Sequence, residues 1–335
     1  PYRDEPVSPA TVPAVGATKP EPPARKSSWF DRVKKPFKSV AKKATDAVAK
    51  TRDLFDTIGD IWDEVTNIPG WVRQGHLDEK KRKELENLAR ARPSLAWPVN
   101  GDIADARNAH RTNTFAEMRD ALKGEYDWLE CDVRLEGPLR DHVGVPLGDR
   151  RPITAHDSFQ TNGLLFEDWV KIAKESGRGI KVDFKDSKAL DQVLTLLKNA
   201  GVPDHRLILN IGIPDPKPGE TDLTKPVSDE RLQKIRAAFP QALINLSPGG
   251  GTVDGQYSEA QIAQMIRYAK AAGQPVMFPL RAEWVTREVV QKLEPHGKVA
   301  IWNSPNTFNP ADPAAEIARF RSWGVTGMID LMTTH

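Results

Sequence analysis

From Trp97 to the C-terminus, short β-like runs alternate with longer amphipathic stretches, and this alternation constrains the fold more tightly than any single motif. The β-like runs are 106–110, 127–134, 179–184, 206–211, 242–247, 275–280, 298–302 and 326–331. Apolar residues at helical spacing fill 114–123, 165–176, 187–200, 227–238, 258–272, 284–294 and 312–323 between them. Eight strands with seven intervening helices predict a closed (β/α)8 TIM barrel, a fold that needs roughly 250 residues. A further β-like run, Pro152–His156, falls between the second strand and its helix and reads as an excursion of that loop. An open doubly wound sheet is the competing topology, but no Gly-x-Gly-x-x-Gly turn follows the first strand.

Ahead of the barrel, residues 1–27 hold seven prolines and no periodic apolar pattern, which predicts a disordered linker. Residues 28–96 form a helical, amphipathic N-terminal segment, and residues 97–335 the barrel domain. Within 28–66 apolar residues recur at helical spacing, with Lys and Arg concentrated in the first half and Asp and Glu in the second. Such a stripe suits a packing face against the main domain or a protein partner. The basic half, with Trp29 and Phe30 at its start, also suits an anionic membrane surface. A Pro-rich leader before an amphipathic segment fits a tethered, extracytoplasmic or membrane-associated protein. A second, highly charged helix is expected over Asp78–Ala91. No run approaches the roughly 18 apolar residues of a membrane-spanning helix. The net charge of +2 gives no global case for a nucleic-acid partner. The single cysteine, Cys131, is expected to be a buried small apolar residue.

The chemistry sits in four strings at strand ends: Asn108–Asn113, Glu130-Cys-Asp132, Ala155-His-Asp157 and Lys181-Val-Asp-Phe-Lys185. Barrel enzymes place their reactive groups at that end. Side chains two apart on a strand share a face. Glu130 and Asp132 therefore point inward together, as do Lys181, Asp183 and Lys185, while Leu129, Cys131, Val133, Ile180, Val182 and Phe184 face the helices. Buried charges are costly unless paired or bound to a metal. Mutual neutralisation by Lys181 and Lys185 is one account of the row; a functional site is the other. Carboxylates without a Cys or His triplet suit a hard cation, Mg²⁺ or Ca²⁺, so Glu130, Asp132 and Asp183 are the expected ligands. His110 ends the first strand and His156 ends the excursion, so both are expected at the same mouth, where two imidazoles can divide acid and base or nucleophilic work. Gly249-Gly250-Gly251 lacks a following Lys-Ser/Thr and reads as a flexible loop, not a P-loop.

Taken together, His110-x-x-Asn113, Glu130-x-Asp132-Val133, Pro152-Ile-Thr-Ala-His156, Gly179-Ile-Lys-Val-Asp-Phe-Lys185, Phe278-Pro-Leu-Arg281 and Ile301-Trp302 resemble the menorin family, within the superfamily of glycerophosphodiester phosphodiesterase-like and phospholipase-like barrels. The resemblance implies a divalent-metal-dependent phosphodiesterase acting on a glycerophosphodiester or lysophospholipid-type substrate, with His110 and His156 catalytic and the three carboxylates holding the metal. Lys185 would hold the phosphate, as in the spider-venom phospholipase D type, and Lys181 and Arg111 are further phosphate-binding candidates. Arg281 is another, since its planar fork suits bidentate oxyanion recognition. Asn113 and Trp302 are placed at the pocket. Arg111 and Asp157 resemble the His-Arg and His-Asp pairs of glycerophosphodiesterases, although Thr112 stands where those enzymes carry glycine. The different-class alternative is a non-catalytic surface-associated binding module that keeps the barrel site.

Overall fold

The computed structural model describes residues 77–91, 101–136, 150–157, 160, 162–213, 228–248, 255–304 and 306–332. All belong to one unit, Asn67–His335. The proline-rich linker, the amphipathic stretch 28–66 and Gly249-Gly250-Gly251 lie outside the described residues.

Eight barrel strands follow one another in chain order, each hydrogen-bonded in parallel to the next. They are β1 (Asn108–Ala109), β2 (Trp128–Leu135), β4 (Gly179–Phe184), β5 (Leu207–Ile213), β6 (Leu243–Pro248), β7 (Val276–Arg281), β8 (Lys298–Trp302) and β9 (Ile329–Asp330). The helices between them are α2 (Phe115–Lys123), α3 (Phe166–Glu175), α4 (Leu190–Asn199), α5 (Asp229–Ala238), α6 (Glu259–Ala272), α7 (Arg287–Leu293) and α8 (Pro313–Ser322). The last strand meets the segment before the first: Ile103 N donates to Thr326 O and Ile329 N to Ala104 O. This is the (β/α)8 barrel that the alternation predicts. The excursion is also as expected: β3 (Pro152–Thr154) pairs antiparallel with β2 beside the barrel, with Val133 opposite Thr154.

The helices begin where local chemistry starts them. Thr114 caps α2 with a capping box to Glu117, and Ser258 does the same for α6 with Gln261. Pro313 opens α8 at a position where its missing N–H costs nothing. The helix expected over Asp78–Ala91 is α1 (Glu79–Ala91), which lies against α2 and α3 with Leu85 and Ala89 fully buried. No described helix is long and apolar enough to cross a membrane.

Two apolar regions hold the barrel. Between sheet and helices lie Leu129, Cys131, Val133, Ile180, Val182 and Phe184, the face assigned to them by strand alternation. Burial keeps the Cys131 thiol protonated by pushing its pKa well up, so it behaves as a small apolar group. Inside, Trp128, Ile208, Leu243, Met277, Ala300 and Met328 form a separate plug from the earlier strand positions. Above that plug the interior turns polar.

A candidate active site at the barrel mouth

Strand register sets the site. Glu130 lies opposite Lys181, Asp132 opposite Asp183, Asp183 opposite Asn210, and Asn210 opposite Asn245. One inward row therefore crosses four neighbouring strands, and its side chains are linked. Asn210 Nδ2 donates to Asp183 Oδ1 at 2.8 Å and Asn245 Nδ2 to Asn210 Oδ1 at 2.7 Å. Asn113 clasps Asp132 twice, its Nδ2 donating to Oδ2 at 2.8 Å and its Oδ1 accepting the Asp132 backbone N–H at 2.9 Å.

Glu130, Asp132 and Asp183 each place an oxygen within 4.8 Å of the others. Ligands on opposite sides of one Ca²⁺ stand about 4.6–5.2 Å apart, so the three can share an ion. The electrostatics fit as well. Burial, joined by the charges of Glu130 and Asp132, raises the Asp183 carboxyl above its ordinary range despite Lys185 beside it. A site that crowds carboxylates this way favours added positive charge. Lys185 supplies some: its Nζ lies 2.6 Å from Asp183 Oδ2 and 3.2 Å from Asp132 Oδ1. Lys181 Nζ lies 2.9 Å from Glu130 Oε2. Burial alone would raise the Glu130 carboxyl, but Lys181 and His110 outweigh it and hold it well below the usual range.

His110 stands between two carboxylates. Its Nδ1 is 2.9 Å from Glu130 Oε2 and its Nε2 is 2.5 Å from Asp330 Oδ2, an ion-pair contact outside hydrogen-bond alignment. Burial disfavours the imidazolium, yet Asp330 and Glu130 overcome it and push the pKa up to about 10. His156 has a different pair of partners. Its Nδ1 is 2.8 Å from Asp157 Oδ1 and its Nε2 is 3.0 Å from Arg111 Nη2. A guanidinium can only donate, so Nε2 accepts and the ring proton sits on Nδ1, facing Asp157. Arg111 reaches this position through a left-handed backbone, φ 53°, the one positive φ outside glycine among the described residues.

Of the residues expected at the site, His110, His156, Glu130, Asp132, Asp183 and Lys185 line one cavity of about 840 Å³, together with Arg111, Lys181, Arg281 and Trp302. Asn113, expected at the pocket wall, is instead behind it. It is almost fully buried, and both ends of its amide are taken up by Asp132. Thr112 also faces away from the cavity. Its hydroxyl donates to Glu130 O and accepts from Trp169 Nε1, so it shapes the turn after His110.

Asp330 was not foreseen. It lies at the C-terminal end of the last strand, where the strand-end rule would have found it. Asn108 joins the same cluster, donating to Glu130 Oε2 at 2.8 Å and to Asp330 Oδ2 at 3.1 Å. Asn210 and Asn245 carried a signal too: each interrupts an apolar run within its strand.

The molecule is thus a (β/α)8 barrel with an ionic, histidine-flanked cup at the C-terminal ends of its strands. The menorin N-terminal domain profile matches residues 102–301, and the chain belongs to that family. It is 26% identical over 216 residues to the protein FAM151B of Homo sapiens, covering 61% of this chain and 75% of that protein. Among solved structures, it is similar to a candidate glycerophosphodiester phosphodiesterase from Galdieria sulphuraria, with TM-score 0.44 and 12% identity over 71% of this chain and 93% of that one. It is also similar to an L-ribulose 3-epimerase, with TM-score 0.38 and 10% identity over 69% of this chain and 82% of that one.

Proposed function

We propose that the chain is a divalent-metal-dependent phosphodiesterase acting on a glycerophosphodiester or lysophospholipid-type substrate. The observation that supports this reading best is the carboxylate trio Glu130, Asp132 and Asp183 in one cavity with two histidines, one set between carboxylates and the other between Asp157 and Arg111. Glu130, Asp132 and Asp183 would hold Mg²⁺ or Ca²⁺, which when bound polarises a phosphoryl oxygen and offsets charge developing there. Lys185 and Arg111 would grip the phosphate. Lys181, bound to Glu130, serves that carboxylate first.

The two imidazoles divide the proton work. Once Arg111 turns from it to the phosphate, His156 Nε2 has a free lone pair and takes a proton from water, or from the substrate's own hydroxyl where a cyclic phosphate forms. That oxygen attacks phosphorus, the ester P–O bond breaks, and the departing oxygen receives the proton from His110. Asp157 and Asp330 steady the two rings at the nitrogens turned away from the reaction or paired beside it.

A second reading has its own support. Lys185 already bridges Asp132 and Asp183, and both nitrogens of His110 already face carboxylates, so the cup is largely self-neutralised. A barrel that binds without turning over would look the same. Incubation with a panel of glycerophosphodiesters and lysolipids, in Mg²⁺, Ca²⁺ or EDTA, separates the two. Cation-dependent turnover that is lost in His110→Ala and in His156→Ala supports the enzyme. Inactivity across the panel, with the ion still bound, favours the binding module.

A further inference from the structure

The cavity is electrically lopsided. Its carboxylates come from β2, β4, β9 and the first turn of α2, whereas the wall built by β5 to β8 and the loops after them is neutral apart from one residue, Arg281. That wall includes Asn210, Asn245, Ser247, Ser304 and Trp302. Arg281 ends β7, four barrel strands on from β2, which puts it across the mouth from Glu130 and Asp132.

Arg281 is held with unusual completeness. Its guanidinium lies over two indoles, 4.5 Å from the Trp302 ring centre and 4.7 Å from that of Trp284. Nη1 lies 2.9 Å from Glu283 Oε1, an oxygen that also accepts from Thr307 Oγ1. The Arg281 backbone N–H donates to Tyr257 Oη at 2.8 Å, and the Tyr257 ring meets Trp284 edge-on. Glu283 does not line the cavity, so the pair is anchored from behind. Nε and Nη2 make no hydrogen bond to the described residues. With two indoles packed on it and Nη1 engaged, the guanidinium offers its remaining N–H edge, two or more donors with little rotamer freedom left to lose.

We propose that Arg281 is a second anion subsite that reads the alcohol side of the diester: an oxyanion, carboxylate or phosphate, carried by the group esterified to the scissile phosphate. A pre-positioned guanidinium edge matches that chemistry. A quaternary ammonium would find the aromatic faces already covered and a like charge beside them. This proposal rests on the phosphodiesterase reading, and assigns Arg281 to the headgroup and not to the phosphate being cleaved.

Two substrate pairs test it with the full chain in Mg²⁺ or Ca²⁺. Glycerophosphoserine and glycerophosphoethanolamine differ by one carboxylate; glycerophosphoinositol 4-phosphate and glycerophosphoinositol differ by one phosphate. The expected result is a kcat/KM ratio of about tenfold or more in favour of the anionic member of at least one pair, the scale of a charge-assisted hydrogen bond. Whichever pair responds names the oxyanion. In Arg281→Gln the ratio falls to near one, and Arg281→Lys retains part of it. Because each ratio is measured within one variant, loss of folded protein does not distort it. Ratios near one in the unaltered chain, or a ratio that survives in Arg281→Gln, overturn the subsite. If none of the four esters is cleaved, it is the phosphodiesterase reading that fails. Calorimetric titration of phosphoserine against phosphoethanolamine then decides the subsite alone: a preference lost in Arg281→Gln upholds it, and equal affinities or no binding overturn it.

Discussion

At the scale of single residues, the site depends on groups that never face the substrate. Asn113 is the clearest. In Asn113→Ala the buried Asp132 keeps its charge but loses one acceptor and one donor. Leaving such groups unpaired costs about 2–4 kcal/mol. Urea unfolding should show that loss, and calorimetry should show divalent-ion affinity falling about 10–100-fold, as when groups orienting metal ligands are removed. An unchanged ion affinity would mean that Asp132 holds its position without help. Arg111 supports a different prediction. Its left-handed backbone costs roughly 1–2 kcal/mol for a side-chain-bearing residue. Arg111→Gly removes that strain but frees the unfolded chain at a cost of about 0.5–1 kcal/mol, so its stability should stay within about 1 kcal/mol of the parent. Arg111→Ala keeps the strain and should be the less stable of the two, while both lose the donor facing His156 Nε2 and both should cleave poorly. Equal stability of the two variants would show that the turn relaxes. These residues also mark how far sequence reasoning reaches. Alternation placed Glu130, Asp132, Lys181, Asp183 and Lys185 inside because one period of two decides each side chain. It could not say that Asn113 turns back onto Asp132 or that Thr112 is buried, because both sit in a turn where no period operates and only tertiary hydrogen bonds decide.

At the scale of elements, the order and type of the strands and helices were legible, since each barrel strand is apolar on its outer face and each helix carries a matching stripe. The part left unread was how the elements support one another. The highly charged sequence of α1 resembles a solvated helix, yet Leu85 and Ala89 are fully buried against the barrel unit. Two ion pairs tie it further, Arg82 with Asp168 and Arg90 with Glu175, both reaching α3. Each pair has its arginine in solvent and contributes little; burial of Leu85 is the larger effect, about 2 kcal/mol or more. A chain shortened to begin at Trp97 should therefore be less stable to urea than one beginning at Asn67, by several kcal/mol in total, and Leu85→Ala in the longer chain should by itself cause roughly 2–4 kcal/mol of that loss. Identical midpoints would show that α1 is dispensable to the barrel.

At the scale of the whole molecule, the barrel concentrates buried charge at one end and leaves the other to an apolar plug. The plug of Trp128, Ile208 and Leu243 holds the fold whether or not the cup is filled. Within the cup Asp183 is the disfavoured member, because it is buried beside two other carboxylates with Lys185 bridging it to Asp132. An ion bound there would relieve this crowding and be present only in the folded state. By mass action, a cation at about 100 times its dissociation constant adds about 2.7 kcal/mol of stability. For a barrel of this size that corresponds to roughly 5–10 °C in Tm. Thermal unfolding in EDTA against saturating Ca²⁺ or Mg²⁺ should show a rise of that order. In Asp183→Asn the rise should vanish, while stability in EDTA stays close to that of the parent, since removing one of three crowded charges compensates for the partner that Lys185 loses. A rise of the same size in Asp183→Asn would place the ion elsewhere on the chain and remove the carboxylate trio from the proposed chemistry.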